Sequence, residues 1–202
     1  MIDDSLIKNT TKHLKSLVLD SVSYNNHFKV LSNCLPNDAI SKLHSYIFKS
    51  TNLDWQDSEV DPEGPRKKIA WHSDTIIEEL HCVFENVTDT INDIFPKTMP
   101  HNFIGLSLWE DSEDYMMGWH VDNPILSANL QIYLFDLCPE KCGVEFSINE
   151  DNVIIPYKHN TGYLLDQSLE NRYCHRISNP VPPNCKRYSL YVSWSHTEKL
   201  PG

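Results

Sequence analysis

Lys186-Arg187-Tyr188-Ser189-Leu190-Tyr191-Val192-Ser193-Trp194 alternates with a period of two. Successive side chains of an extended strand point to opposite faces. Tyr188, Leu190, Val192 and Trp194 therefore share one face, and Arg187, Ser189, Tyr191 and Ser193 share the other. The first face is a core surface. The second carries a guanidinium with a hydroxyl two residues on, which suits a carboxylate ligand. The guanidinium fork can bind it through two parallel hydrogen bonds, and Ser189 can add a third.

Upstream of this strand, from residue 101, the chain reads as a series of short strands. Phe103 to Trp109, Asn129 to Phe135, Gly143 to Ile148, Val153 to Ile155 and Gly162 to Leu165 are rich in β-branched, aromatic and aliphatic residues. Acids, Asn and Pro punctuate them. The first hundred residues read mostly helical. After Pro36, Asn37 is expected to cap a helix in which Ile40, Leu43, Ile47 and Phe48 recur at helical spacing. Thr75 and Glu78 stand in the capping-box relation, ahead of a stripe of Ile76, Leu80, Phe84, Val87, Ile91 and Ile94 that stops at Pro96. Residues 54–68 read as a long loop and a candidate lid. Helices followed by antiparallel strands indicate an α+β chain, with helices buttressing one side of a β-sandwich.

The composition narrows the function. With 202 residues, 40% hydrophobic and 22% charged, the chain can build a full core and suits a single domain. Seventeen basic against 28 acidic residues give a net charge of −11. Only Arg66-Lys67-Lys68 forms a basic run, so a nucleic-acid partner is disfavoured. No apolar run approaches the ~20 residues that cross a bilayer, so no membrane partner is expected. Met1-Ile2-Asp3-Asp4 is acidic where a secretory signal is basic. A cytoplasmic setting is expected, with the six cysteines as reduced thiols. Cys138-Pro-Glu-Lys-Cys142 lacks a second ligand pair for structural zinc.

A His-x-Asp pair followed by a distant His can form the two-His-one-carboxylate facial triad of non-haem iron sites. The pair alone is weak, because ten His and sixteen Asp in 202 residues produce about 0.8 such pairs by chance. Two occur. His72-Ser-Asp74 sits at a helix start, where Ser73, Asp74 or Thr75 has a capping role. His120-Val-Asp122 follows Tyr115 to Trp119, which reads as a strand, and precedes Asn123-Pro124. His175 lies downstream in Tyr173-Cys-His-Arg-Ile177, and Arg187 opens the last strand. Arg176 adjoins His175 and should point the opposite way, toward the surface.

Gly118-Trp-His-Val-Asp-Asn-Pro124, Tyr173-Cys-His-Arg-Ile-Ser-Asn-Pro-Val181 and Lys186 to Trp194, in that order, resemble the 2-oxoglutarate- and Fe(II)-dependent dioxygenases, the prolyl-hydroxylase-like branch above all. The resemblance covers roughly residues 103 to 194. It implies a double-stranded β-helix, or jelly-roll, within a single domain over 1–202. Residues 1–100 would be mainly helical support and 101–196 the jelly-roll core.

It implies iron held by His120, Asp122 and His175, and 2-oxoglutarate anchored through its distal carboxylate by Arg187 with Ser189. It gives Tyr133 two readings of equal weight, a phenol contact to 2-oxoglutarate or a buried aromatic. The activity implied is oxidative decarboxylation of 2-oxoglutarate with O2, coupled to hydroxylation, with ascorbate as an accessory. The substrate would be a prolyl or other protein or peptide side chain, or a small molecule. Asp122 stands where the halogenating branch has a small residue, which favours hydroxylation. Where relatives often carry Gly-Gly-Glu, this chain has Cys142-Gly143-Val144-Glu145. Three rival readings are a non-catalytic metal-binding jelly-roll that binds a ligand or partner, a nucleobase-oxidising enzyme and a structural β-protein.

Overall fold

The computed structural model describes residues 2–21, 23–25, 27–50, 53, 55–57, 65–70, 75–95, 103–123, 126–148, 151–167 and 173–195. Helix α1 (Asp4–Asp20) is capped by Asp3, whose carboxylate accepts from the Leu6 N–H at 3.1 Å. Leu6, Thr10, Leu14 and Val18 recur every four residues and form its buried stripe. Helix α2 (Asn37–Lys49) buries Ala39, Ile40, Leu43 and Ile47. Its N-cap is Pro36, with no side-chain cap bond, so Asn37 is the first helical residue and not the cap. The proline ring presets the extended turn into the helix, and a capping side chain is dispensable there. Phe48 lies about 100° round the helix from Ile47 and is 43% exposed, off the buried stripe.

Helix α3 (Thr75–Ile94) buries Ile76, Leu80, Phe84, Val87 and Ile91, as the periodicity predicts. Its Glu79 is fully buried and ties the three helices together. One oxygen accepts from the Asp3 N–H at 2.8 Å, and Lys42 Nζ donates to both oxygens at 2.9 and 2.6 Å. Among the described residues no helix is long and apolar enough to cross a membrane.

The strands are β1 (Ser23–Asn25), β2 (Phe28–Ser32), β3 (Gln56–Asp57), β4 (Arg66–Ala70), β5 (Phe103–Asp111), β6 (Leu126–Tyr133), β7 (Val144–Ile148), β8 (Asp151–Ile155), β9 (Thr161–Asp166), β10 (Cys174–Ile177) and β11 (Arg187–Ser195). They form an eight-stranded sheet in the order β1-β2-β9-β6-β11-β5-β4-β3 and a three-stranded sheet β10-β7-β8. Every pairing is antiparallel. Leu106, Leu108, Leu130, Ile132, Leu190, Val192 and Trp194 turn one face of the large sheet into a core shared with the helices. The opposite face gives Phe28, Tyr133, Tyr163 and Leu165 to a second core, completed by Val144, Phe146, Ile155 and Ile177 of the small sheet.

Several expectations change. The first hundred residues are not only helical support, since β1 to β4 extend the large sheet at both edges. The stretch 54–68 is partly strand, because Gln56 and Asp57 pair with Lys68 and Lys67. Residues 54 and 58–64, and with them the lid reading, fall outside the described residues, as does His72-Ser-Asp74. Strand β5 runs two residues past Trp109 and takes in Glu110 and Asp111. Ion pairs hold these acids in the ladder: Lys186 donates to Glu110 at 2.8 Å and Arg66 to Asp111 at 2.6 Å.

Tyr115 to Trp119 is not a strand. The chain turns at Asp114, whose φ is 65°, and then runs beside residues 175–181 through separate hydrogen bonds in place of a ladder. Val181 N–H donates to Tyr115 O at 3.1 Å and Ile177 N–H to Met117 O at 3.0 Å. Gly143 has a steric role: a Cβ there would lie 1.9 Å from the Ile155 carbonyl oxygen.

Candidate metal centre

His120 and His175 form an isolated antiparallel bridge, each N–H donating to the other's carbonyl at 2.9 Å. This brings together two imidazoles that are 55 positions apart in sequence, with ring centroids separated by 4.2 Å. The Nδ1 of His120 is 2.9 Å from the Gly118 carbonyl and that of His175 is 3.0 Å from the Tyr173 carbonyl. A ring nitrogen facing a carbonyl must be a protonated one, so in the neutral imidazole it is Nε2 that carries the lone pair. Both Nε2 atoms lie 3.7 Å from Oδ1 of Asp122. One donor atom from each of the three side chains falls within 4.8 Å of the others, close enough to hold a single ion. Burial pushes the His175 pKa down, as does the neighbouring His120, against an upward pull from Asp122. The neutral imidazole that a metal requires is thereby favoured.

Polar side chains on the inner face of the large sheet continue from this cluster. Asn129 on β6 and Gln167 after β9 both donate to Oδ2 of Asp122, at 2.6 and 2.8 Å. Gln131 donates to the Ser189 hydroxyl at 3.0 Å and accepts from the Tyr163 phenol. Burial raises the Tyr163 pKa well above its ordinary value. Tyr133, Asp122 and Tyr191 raise it further, and Arg187 opposes them. Tyr163 thus stands within electrostatic reach of both the His-Asp-His cluster and the arginine end.

Tyr133 pairs with Ser189 across the β6–β11 ladder. Among the described residues its hydroxyl is buried without a well-formed hydrogen bond, and the Val144 backbone is a polar group it interacts with. Such an atom incurs a desolvation cost unless something bonds to it.

Arg187 is 1% exposed. Its Nε donates to Asp111 Oδ2 at 2.7 Å, its Nη2 lies 2.6 Å from the same oxygen, and its Nη1 donates to the Cys142 carbonyl at 2.8 Å. Five guanidinium N–H groups less these three leave two for a further acceptor. Arg66 Nε donates to the other oxygen of Asp111 at 2.6 Å, and the Arg66 guanidinium lies 4.2 Å from the Tyr115 ring centroid. Burial alone would raise the Asp111 pKa, but the two guanidiniums overcome it and hold the carboxyl below its ordinary value. Burial would lower the Arg187 pKa, but Asp111 raises it on balance.

The geometry thus gathers His120, Asp122 and His175 into one cluster and places Arg187, Ser189 and Tyr133 on the same inner sheet face. Arg176 points outward, donating to Glu145 at 2.7 Å and lying over the Trp119 ring at 4.7 Å. The sequence reading missed Arg66, Asp111, Asn129, Gln131 and Gln167. For Asn129 and Gln131 a signal was present, since period-two alternation puts both on the Tyr133 face of β6.

No family model and no curated protein sequence matches this chain. Solved structures do match. A prolyl-4-hydroxylase from Pseudomonas putida superimposes with a TM-score of 0.67 at 9% identity, over 93% of this chain and 99% of that one. A Trichoplax adhaerens prolyl hydroxylase, in complex with a hypoxia inducible factor oxygen degradation domain peptide fragment, gives 0.69 at 13% identity, over 94% and 90%. A 2OG-Fe(II) oxygenase family oxidoreductase from Burkholderia pseudomallei gives 0.65 at 12% identity, over 98% and 94%. The fold is that of the prolyl-hydroxylase-like 2-oxoglutarate oxygenases. At these identities the likeness is one of fold, and the chemistry of this chain rests on its own side chains.

Proposed function

We propose that the protein is a 2-oxoglutarate- and Fe(II)-dependent dioxygenase that hydroxylates a prolyl or other protein or peptide side chain. One observation carries this reading: within this fold, His120, Asp122 and His175 each bring a donor atom within 4.8 Å of the other two. Two imidazoles and one carboxylate are the donor set suited to non-haem iron, with coordination positions left open. The buried Tyr133 hydroxyl beside Ser189, with no well-formed hydrogen bond among the described residues, and the two remaining N–H groups of Arg187 support a carboxylate subsite next to the metal position. We read the two facing sheets as a double-stranded β-helix and residues 1–202 as one domain. A cytoplasmic setting suits the six free thiols.

The bound iron and 2-oxoglutarate would supply the oxidising chemistry. The protein's own groups do the rest. His120 and His175 present Nε2 because backbone carbonyls hold their Nδ1 protons. Asp122 presents Oδ1. Arg187, Ser189 and Tyr133 would orient the cosubstrate through its distal carboxylate. The second core, from Phe28 and Phe146 to Tyr163, packs against the cluster, with the Phe146 ring 5.2 Å from that of His175, and keeps water from that side.

The peptide in the Trichoplax complex agrees with a peptide substrate. The test is succinate formation from 2-oxoglutarate with Fe(II) and O2, measured without added substrate. The wild type should show slow uncoupled turnover and His120→Ala none. Equal turnover in both would refute the assignment.

A further inference from the structure

Among the described residues, amide donors grip the Asp122 carboxylate at one oxygen, Oδ2. Asn129 Nδ2, from β6, donates to Oδ2 at 2.6 Å, and Gln167 Nε2, one residue beyond β9, donates to the same oxygen at 2.8 Å. Oδ1 receives neither bond and lies 3.7 Å from both imidazole Nε2 atoms. The two amides are themselves anchored. Asn129 also donates to the Tyr191 hydroxyl at 3.1 Å, and the Gln167 backbone N–H donates to the Ser127 carbonyl at 2.8 Å. Both side chains lie in residues only 1% exposed.

A carboxylate only accepts hydrogen bonds, so each amide must turn its NH2 toward it. The amide oxygens then face elsewhere, and among the described residues Asn129 Oδ1 and Gln167 Oε1 are both buried with no partner. A core built for stability alone would not carry two unmatched acceptors at one point.

We propose that Asn129 and Gln167 are positioning residues of the metal centre, which hold Asp122 Oδ2 away from the ion so that the carboxylate offers a divalent cation Oδ1 alone. This inference rests on the metal-centre reading. It adds that the carboxylate binds through one oxygen and that two neutral amides impose this. Removing either amide lets the carboxylate swing, and metal affinity falls without a matching loss of fold stability. Outer-shell partners of metal ligands typically control affinity by about 10- to 100-fold.

The test uses the full chain with Gln167→Met, Asn129→Leu and the pair combined. Gln167→Met keeps the side-chain length and removes both the donor and the unmatched oxygen, so it carries the test if Asn129→Leu fails to fold. Dissociation constants for Mn(II) and Co(II), the Co(II) visible spectrum and the melting temperature of the metal-free protein are measured together.

For Gln167→Met the expected result is metal affinity weaker by about tenfold or more, an altered Co(II) spectrum and an undiminished metal-free melting temperature. Unchanged affinity and spectrum overturn the proposal. So does an affinity loss that merely tracks a falling melting temperature, which would assign the amides a structural role. A wild type that binds neither ion refutes the metal-centre reading and the proposal with it. Wild-type binding with unaltered variants refutes only the clamp.

Discussion

Arg187 and Asp111 face each other across the β5–β11 ladder, and the guanidinium Nε meets the carboxylate at 2.7 Å although 76 positions separate them. Asp111 is fully buried and also receives Arg66. The arginine assigned to the cosubstrate is therefore fixed in place before any ligand arrives. Such preorganisation reduces what a ligand must spend in ordering its site.

Asp111→Ala should be strongly destabilising, by about 3–5 kcal/mol, because it leaves Arg187 buried without its carboxylate. Urea unfolding followed by circular dichroism measures this. A loss below about 1 kcal/mol would show that the pair is no more than a surface-like contact.

The same carboxyl predicts an acid limb of stability. Asp111 has a pKa below its ordinary 3.8 in the folded protein, because two guanidiniums outweigh the cost of burial. Its contribution is fully present above the unfolded value and is lost as pH falls through the depressed one. The melting temperature should drop more steeply below about pH 4 in the wild type than in Asp111→Asn. Parallel curves would contradict the assignment.

Arg187→Ala should raise the 2-oxoglutarate requirement far more than it lowers iron affinity. Charge-assisted bonds of this type contribute about 1.5–3 kcal/mol. Calorimetric titration of 2-oxoglutarate and of Mn(II) into the variant separates the two effects. Equal losses would indicate general unfolding.

Tyr133→Phe removes a hydroxyl that makes no well-formed hydrogen bond among the described residues. Ligand-free stability should be unchanged or slightly higher, while 2-oxoglutarate binding weakens by about 0.5–1.5 kcal/mol, the worth of one neutral hydrogen bond. A loss of ligand-free stability with unaltered binding would assign Tyr133 to packing alone.

Much of the site was legible because its signals are local. The His120-Val-Asp122 spacing, the alternation of β11 and the opposed directions of His175 and Arg176 follow from short stretches of chain. What was hidden depends on pairing across the sheet. Asp111 reads as punctuation at a strand end, because acids are depleted from strands. Only the Arg66–Asp111–Arg187 register shows that two guanidiniums keep it inside the ladder. Arg66 reads as one of three basic loop residues for the same reason. Gln167 is silent in sequence, since its meeting with Asp122 spans 45 positions and requires both the β6–β9 pairing and the bend after Asp114. The expected strand at Tyr115 to Trp119 failed at that bend, yet the His120–His175 bridge brings the ligands together without it.

The most direct test of the central claim is an anaerobic titration of the Fe(II)-loaded protein with 2-oxoglutarate, followed in the visible range. The account predicts a weak charge-transfer band that saturates in the wild type, needs more 2-oxoglutarate in Arg187→Ala and is absent in His120→Ala. A wild type without the band, or a His120→Ala protein that retains it in full, would contradict the account.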